Sequence, residues 1–91
     1  MSAASFRAVP AEELSVAPLD DFTLIFHRAS GLTHLVTAPA PQILELLAAA
    51  AMTREGLLAA LVARFDLLDA SIDALDARLD ELISAGLVVA A

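Results

Sequence analysis

The chain changes its hydrophobic pattern once, at Pro39 and Pro41. Before these prolines, over residues 14–37, β-branched and aromatic residues are concentrated, as is typical of strands. After them, leucine and alanine recur at the three- and four-residue spacing of a helix as far as Gly86. A chain that places its strands first and its helices last is expected to form an α+β domain.

Three short strands are predicted in the first half, at residues 14–17, 22–27 and 33–36. Asp20-Asp21 and Ser30-Gly31 lie between them. Each pair can form a two-residue hairpin loop, the second more readily because glycine accepts positive φ. The first half is therefore predicted to be a three-stranded antiparallel β-meander.

Three helices are predicted in the second half. The first covers residues 41–51, Thr53 is the expected N-cap of the second, and the third begins near residues 69–71. Gly86 is the expected C-terminal cap of the third helix. The apolar tail at residues 87–89 is predicted either to dock as a short strand or to fill the core.

The length of 91 residues predicts one domain with a thin core. Residues 1–13 are predicted to be an N-terminal arm in which Phe6 is the one large anchor, and residues 14–91 to be the folded domain. Whether the arm is ordered stays open. Because no apolar run approaches the roughly 20 residues that cross a bilayer, and no signal-peptide pattern is evident, we expect a cytoplasmic protein without a membrane partner.

The charge balance is strongly acidic, with a net charge of −7 and no lysine. Such a field repels phosphate, so nucleic acid is not an expected partner. A winged-helix DNA-binding regulator is kept as an alternative, although its third helix would bring aspartates to the DNA backbone. These aspartates are Asp69, Asp73, Asp76 and Asp80. Their spacing places these aspartates along one acidic stripe of the third helix. This stripe is interpreted either as a solvated face or as a surface for a basic segment, with Arg78 offering one donor to a carboxylate.

No constellation in the sequence predicts catalysis. Cysteine is absent, the three glycines are separated, and no serine lies in a nucleophile motif. Counted outward from the Ser30-Gly31 loop, His27 and His34 are expected opposite each other on one face of the hairpin. Two imidazoles do not complete the three or four ligands of a zinc site. The sequence therefore predicts a non-enzymatic protein with no metal and no cofactor.

Three short motifs carry a resemblance to a known family. They are Ala-Ser-Gly-Leu-Thr-His-Leu at residues 29–35, Gln-Ile-Leu-Glu-Leu-Leu at 42–47 and Leu-Asp-Glu-Leu-Ile-Ser-Ala-Gly-Leu-Val at 79–88. With them the chain resembles the PqqD family, and more narrowly the HPr-rel-A system PqqD family peptide chaperones, over most of its length from Leu14 onward. The resemblance implies a winged-helix-like fold, a three-stranded sheet packed on three helices, known as a peptide-precursor recognition element.

The resemblance also implies a function. In that family the leader segment of a precursor peptide adds as a strand to the edge of the third strand, lies against the third helix and is delivered to a modifying enzyme, for which an HPr-kinase-related protein is the candidate here. The implied edge is residues 32–37. The implied peptide-binding residues are Leu32, Thr33, His34, Leu35 and Val36 on the strand, and Ile72, Leu75, Asp76, Leu79 and Ile83 on the helix. The alternative from another class is a homodimer whose helices or exposed sheet edge pair with themselves.

Overall fold

The computed structural model describes residues 4–65 and 71–91. Within these ranges the chain forms two three-stranded antiparallel sheets and three α-helices, which confirms a mixed fold of strands and helices. The strands are β1 Ser5–Ala8, β2 Leu14–Leu19, β3 Phe22–His27, β4 Leu32–Thr37, β5 Met52–Thr53 and β6 Val88–Ala90. The helices are α1 Ala40–Ala49, α2 Arg54–Phe65 and α3 Ile72–Ser84, and a 3-10 turn covers Ala11–Glu13.

The predicted meander is present as the sheet β2-β3-β4. A tight turn at Asp20-Asp21 joins β2 to β3, and Asp20 takes a positive φ of 51° there. The β3–β4 loop is longer than predicted, because the last pair is His27 opposite Leu32. Residues 28–31 therefore form the loop. Gly31 closes it with φ of 72°, and its N–H donates to the carbonyl oxygen of His27 at 2.8 Å.

The longer loop corrects the predicted histidine pair. His27 lies opposite Leu32, and His34 lies opposite Ile25, so the two histidines do not face each other directly. The prediction was wrong because a two-residue loop was assumed where the chain uses four residues. The resulting shift is two positions along β4, which preserves the face of the sheet. Both histidines therefore lie on the same face, as expected, and the structure shows that this is the inner face.

The second sheet was not predicted. Its central strand is β1, with β5 on one side and β6 on the other. The described part of the N-terminal arm is thus regular, and Phe6 is buried as an anchor. The C-terminal tail docks as β6 against β1, while Leu87 and Val88 also fill the core. Strands of four, two and three residues are too short to show an alternating pattern in the sequence.

Capping residues set the helix ends, at Thr53 and Gly86 as predicted and also at Ser71. Thr53 Oγ1 and Ser71 Oγ each accept a backbone N–H from the first turn of the following helix, at 3.0 and 3.2 Å. At the end of α3, Gly86 has a φ of 78°, and the N–H of Leu87 donates back to the carbonyl oxygen of Leu82 at 3.0 Å. This Schellman-type ending turns Leu87 into the core and leads the chain into β6.

One core joins the two sheets and the three helices. Its most completely buried side chains are Ile25, Ile43, Leu47, Leu57, Leu61, Leu79, Leu87 and Val88. These residues come from the inner face of β3, from the apolar stripes of all three helices and from the C-terminal tail. In the ranges that the structure describes, no helix has the length and apolar character that a membrane span requires.

Candidate binding groove

Strand β4 forms one edge of the meander. It pairs with β3, and no other described strand pairs with its second side. The C-terminal tail, which could have covered this edge, pairs with β1 instead. In an antiparallel strand, alternate residues turn their N–H and C=O groups to opposite sides. About half of the main-chain groups of β4 are therefore directed toward a side where the described chain provides no strand.

A groove of about 430 Å³ lies beside this edge, between β4 and the C-terminal half of α3. Its residues from the strand are Thr33, His34, Leu35, Val36 and Thr37. Its residues from the helix side are Ala40, Arg78, Glu81, Leu82, Ala85 and Leu87. Leu82 and Leu87 are buried and make an apolar floor. The groove thus joins main-chain hydrogen-bonding groups to an apolar surface.

The rim of the groove carries one cation and one anion. Arg78 Nη1 donates to both carboxylate oxygens of Glu81, at 2.9 and 2.8 Å. Both side chains are about half exposed, so this pair contributes little to folding stability. Its charges can therefore exchange partners with a bound molecule at low cost.

The two histidines have different surroundings. His27 is buried under the hairpin loop, with Nδ1 3.3 Å from Ser30 Oγ and Nε2 3.7 Å from Glu13 Oε1. His34 lines the groove, and its buried Nε2 has no hydrogen-bond partner within the described residues. Over residues 4–65 and 71–91, no three His, Cys, Asp or Glu residues are grouped in a way that could hold a metal ion.

The structure brings the implied strand residues to the groove but not the implied helix residues. Thr33 to Val36 line it, whereas Leu32, at the loop end of β4, does not. Leu75 and Leu79 lie in the core, and Asp76 pairs with Arg54. Ile72 contacts a shallow apolar depression on α2, and Ile83 is partly exposed outside the groove.

A different face of α3 lines the groove. Its residues are Arg78, Glu81, Leu82 and Ala85, at spacings of three, one and three. Leu75 and Leu79, which the resemblance implies, lie instead on the buried face of α3, which packs on α1 and α2. These positions form a stripe of polar and apolar residues that lies beside the core stripe and shares the buried Leu82 with it. Such a stripe is the sequence signal that would have identified them.

The acidic stripe of α3 has a structural contact of its own. Arg54, at the start of α2, donates to Asp76 Oδ1 at 2.7 Å and lies 3.8 Å from Asp80 Oδ1. Its guanidinium also lies over the ring of Phe6, 4.9 Å from the centroid. Asp76 and Asp80 do not line the groove. Asp69 lies outside the described residues.

A second cleft of about 370 Å³ lies between the inner side of β2 and α1. It is lined mainly by apolar residues, and its one charged residue, Glu45, pairs with Arg64 at 3.1 Å. The β2 edge beside it contains Pro18, which has no N–H to donate. An extended guest chain would find fewer main-chain donors there than at β4.

Comparison of the chain with protein-family models, with curated proteins and with solved structures found no match. The resemblance to the PqqD family therefore stays a prediction.

Proposed function

We propose that this chain is a PqqD-like peptide chaperone, which captures a segment of a precursor or partner peptide and presents it to a modifying enzyme without a chemical step of its own. The observation that carries the proposal is the outer edge of β4, which faces a groove rather than a strand of the described chain. The winged-helix-like description of the fold, with β3 and β4 as the hairpin beside three helices, belongs to the same proposal.

The main-chain groups of β4 that do not pair with β3 favour binding by strand addition. An extended peptide placed along the edge satisfies the main-chain donors and acceptors that β3 does not use. Each such bond adds about 0.5–1.5 kcal/mol after water is displaced. Ordering the peptide costs several kcal/mol, so pairing over a strand of six residues gives weak affinity by itself. Side chains that enter the groove must supply the rest.

The groove defines which side chains suit the guest. Residues of the guest that point inward meet Leu82 and Leu87, which favours small or medium apolar side chains. Residues near the rim meet Arg78 and Glu81, which favours an acidic or a basic group at a single position. The expected ligand is therefore an extended segment that alternates apolar and polar residues and carries few charges.

A matched pair of arginine variants tests the site. Peptides that bind the intact protein are first selected from a displayed library of random sequences, and the tightest one is titrated into Arg78→Ala and Arg64→Ala. Both arginines are half-exposed members of surface ion pairs, but only Arg78 lines the groove. We expect Arg78→Ala to change the dissociation constant by at least about threefold, since rim charges mainly tune affinity and selectivity. Arg64→Ala should leave it unchanged.

Two results would contradict the proposal. The first is equal sensitivity to both arginine substitutions, which would place the peptide elsewhere. The second is a selected peptide whose binding survives mutation of the groove but is lost on substitution of exposed Val62 on α2.

A further inference from the structure

The outward face of the meander is unusually apolar. The residues that alternate onto it, on the side away from the helices, are Ser15, Ala17, Leu19, Phe22, Leu24, Phe26, Thr33, Leu35 and Thr37. None of them is charged, although the chain carries a net charge of −7. Leu19, Phe22 and Leu35 are 50%, 46% and 59% exposed. Contiguous apolar surface of this kind marks a place where another molecule binds.

The two ends of this face carry opposite charges. Asp20 and Asp21 are exposed in the β2–β3 turn at one end. At the other end Arg28 is exposed, and its guanidinium donates to Ser15 Oγ at 2.9 Å and to the carbonyl oxygen of Glu12 at 2.7 Å. Since Ser15 belongs to the outward face, these bonds hold the cation on the same side of the sheet. Both charged ends therefore flank the β2–β3 pair.

We propose that a second copy of this chain covers the outward face, with a two-fold axis that crosses the strands. Packed sheets stack with their strands nearly aligned, about 10 Å apart. When the strands of the two copies run in opposite directions, Arg28 of each copy meets Asp20 and Asp21 of the other. The same patch then meets itself, as a two-fold interface requires. The absence of charge on the face lets two acidic chains approach without close like-charge contacts.

The proposed dimer is weak and reversible. A sheet of three strands with six residues each offers less than the roughly 800 Å² per partner of a standard interface. Thr33, Leu35 and Thr37 belong both to this face and to the lining of the groove. Arg78 lies outside the face and Phe22 lies outside the groove, so variants of these two residues distinguish failure of self-association from failure of peptide capture.

A charge-swap experiment tests this arrangement by sedimentation velocity over about 1 μM to 1 mM, the range in which small interfaces dissociate. The wild-type chain should pass reversibly from monomer to dimer. Arg28→Asp should weaken association at least tenfold, because like charges then meet at both ends, and Asp21→Arg should weaken it less, because Asp20 still faces Arg28 beside the new arginine. An equimolar mixture of the two variants should recover association, because both contacts become Asp–Arg pairs. Asp21 is the position to change, since Asp20 has a positive φ.

A matched apolar pair separates loss of contact from loss of folding. Phe22→Thr removes an exposed ring from the face, while Val62→Thr places a hydroxyl on a similarly exposed apolar position of α2. We expect at least tenfold weaker association for Phe22→Thr and no change for Val62→Thr, with thermal unfolding confirming that both fold. A wild-type chain that stays monomeric, a mixture that does not recover, or a dimer insensitive to Phe22→Thr would overturn the proposal.

Discussion

At the scale of single residues, Leu79 shows how burial separates a core position from a binding position. Its side chain is 0% exposed and lies among the buried leucines of the helices. We expect Leu79→Ala to lower the free energy of unfolding by about 2–5 kcal/mol, since it leaves a cavity. Urea denaturation measures the loss. Ile83→Ala on the same helix is the control, and it should cost less because Ile83 is already partly exposed.

A different result for Leu79→Ala would place this side chain in the binding site. If Leu79→Ala leaves stability unchanged and weakens peptide binding, then the side chain contacts the guest as the family resemblance implies, and the assignment of the groove to Arg78, Glu81, Leu82 and Ala85 is wrong.

At the scale of elements, Arg54 connects three of them. It begins α2, pairs with Asp76 and Asp80 on α3 and lies over Phe6 of β1. We expect Arg54→Met to lower the free energy of unfolding by about 1 kcal/mol or less, because the ion pairs are partly exposed and screened by solvent. The loss should shrink at high salt, and urea denaturation at two salt concentrations measures it.

Arg64→Met provides the comparison for Arg54. Arg64 forms a more exposed pair with Glu45 and should cost less. Equal losses for the two variants would show that Arg54 does not connect the elements energetically.

Elements with a clear periodicity were predictable, and the others were not. The meander and the three helices follow from alternation, helical spacing and capping residues such as Thr53 and Gly86. The second sheet joins short segments from both ends of the chain and from residues 52–53, so its pairing depends on tertiary packing. The groove face of α3 was not predicted, because the resemblance implied other helix residues and hydrophobic spacing identifies only the core stripe.

At the scale of the whole molecule, the chain presents three surfaces with different contacts. The β4 edge and its groove are proposed to bind peptide, the outward face of the meander is proposed to bind a second copy, and two acidic residues of α3 pair with Arg54. The resemblance implies β4 as the peptide-binding strand, and residues 33–37 of this strand lie along the groove. Whether the C-terminal tail would cover that edge could not be decided from residues 87–89, because their pairing with β1 is a long-range contact.

Amide hydrogen exchange along β4 tests the central claim most directly. In the free protein, amides that donate to β3 should exchange slowly and the intervening ones quickly, giving an alternating pattern over residues 32–37. Addition of a selected peptide should slow the fast-exchanging amides at least about tenfold, because a guest strand then accepts their hydrogen bonds. If these amides keep their fast exchange while the peptide is bound, strand addition to β4 does not occur.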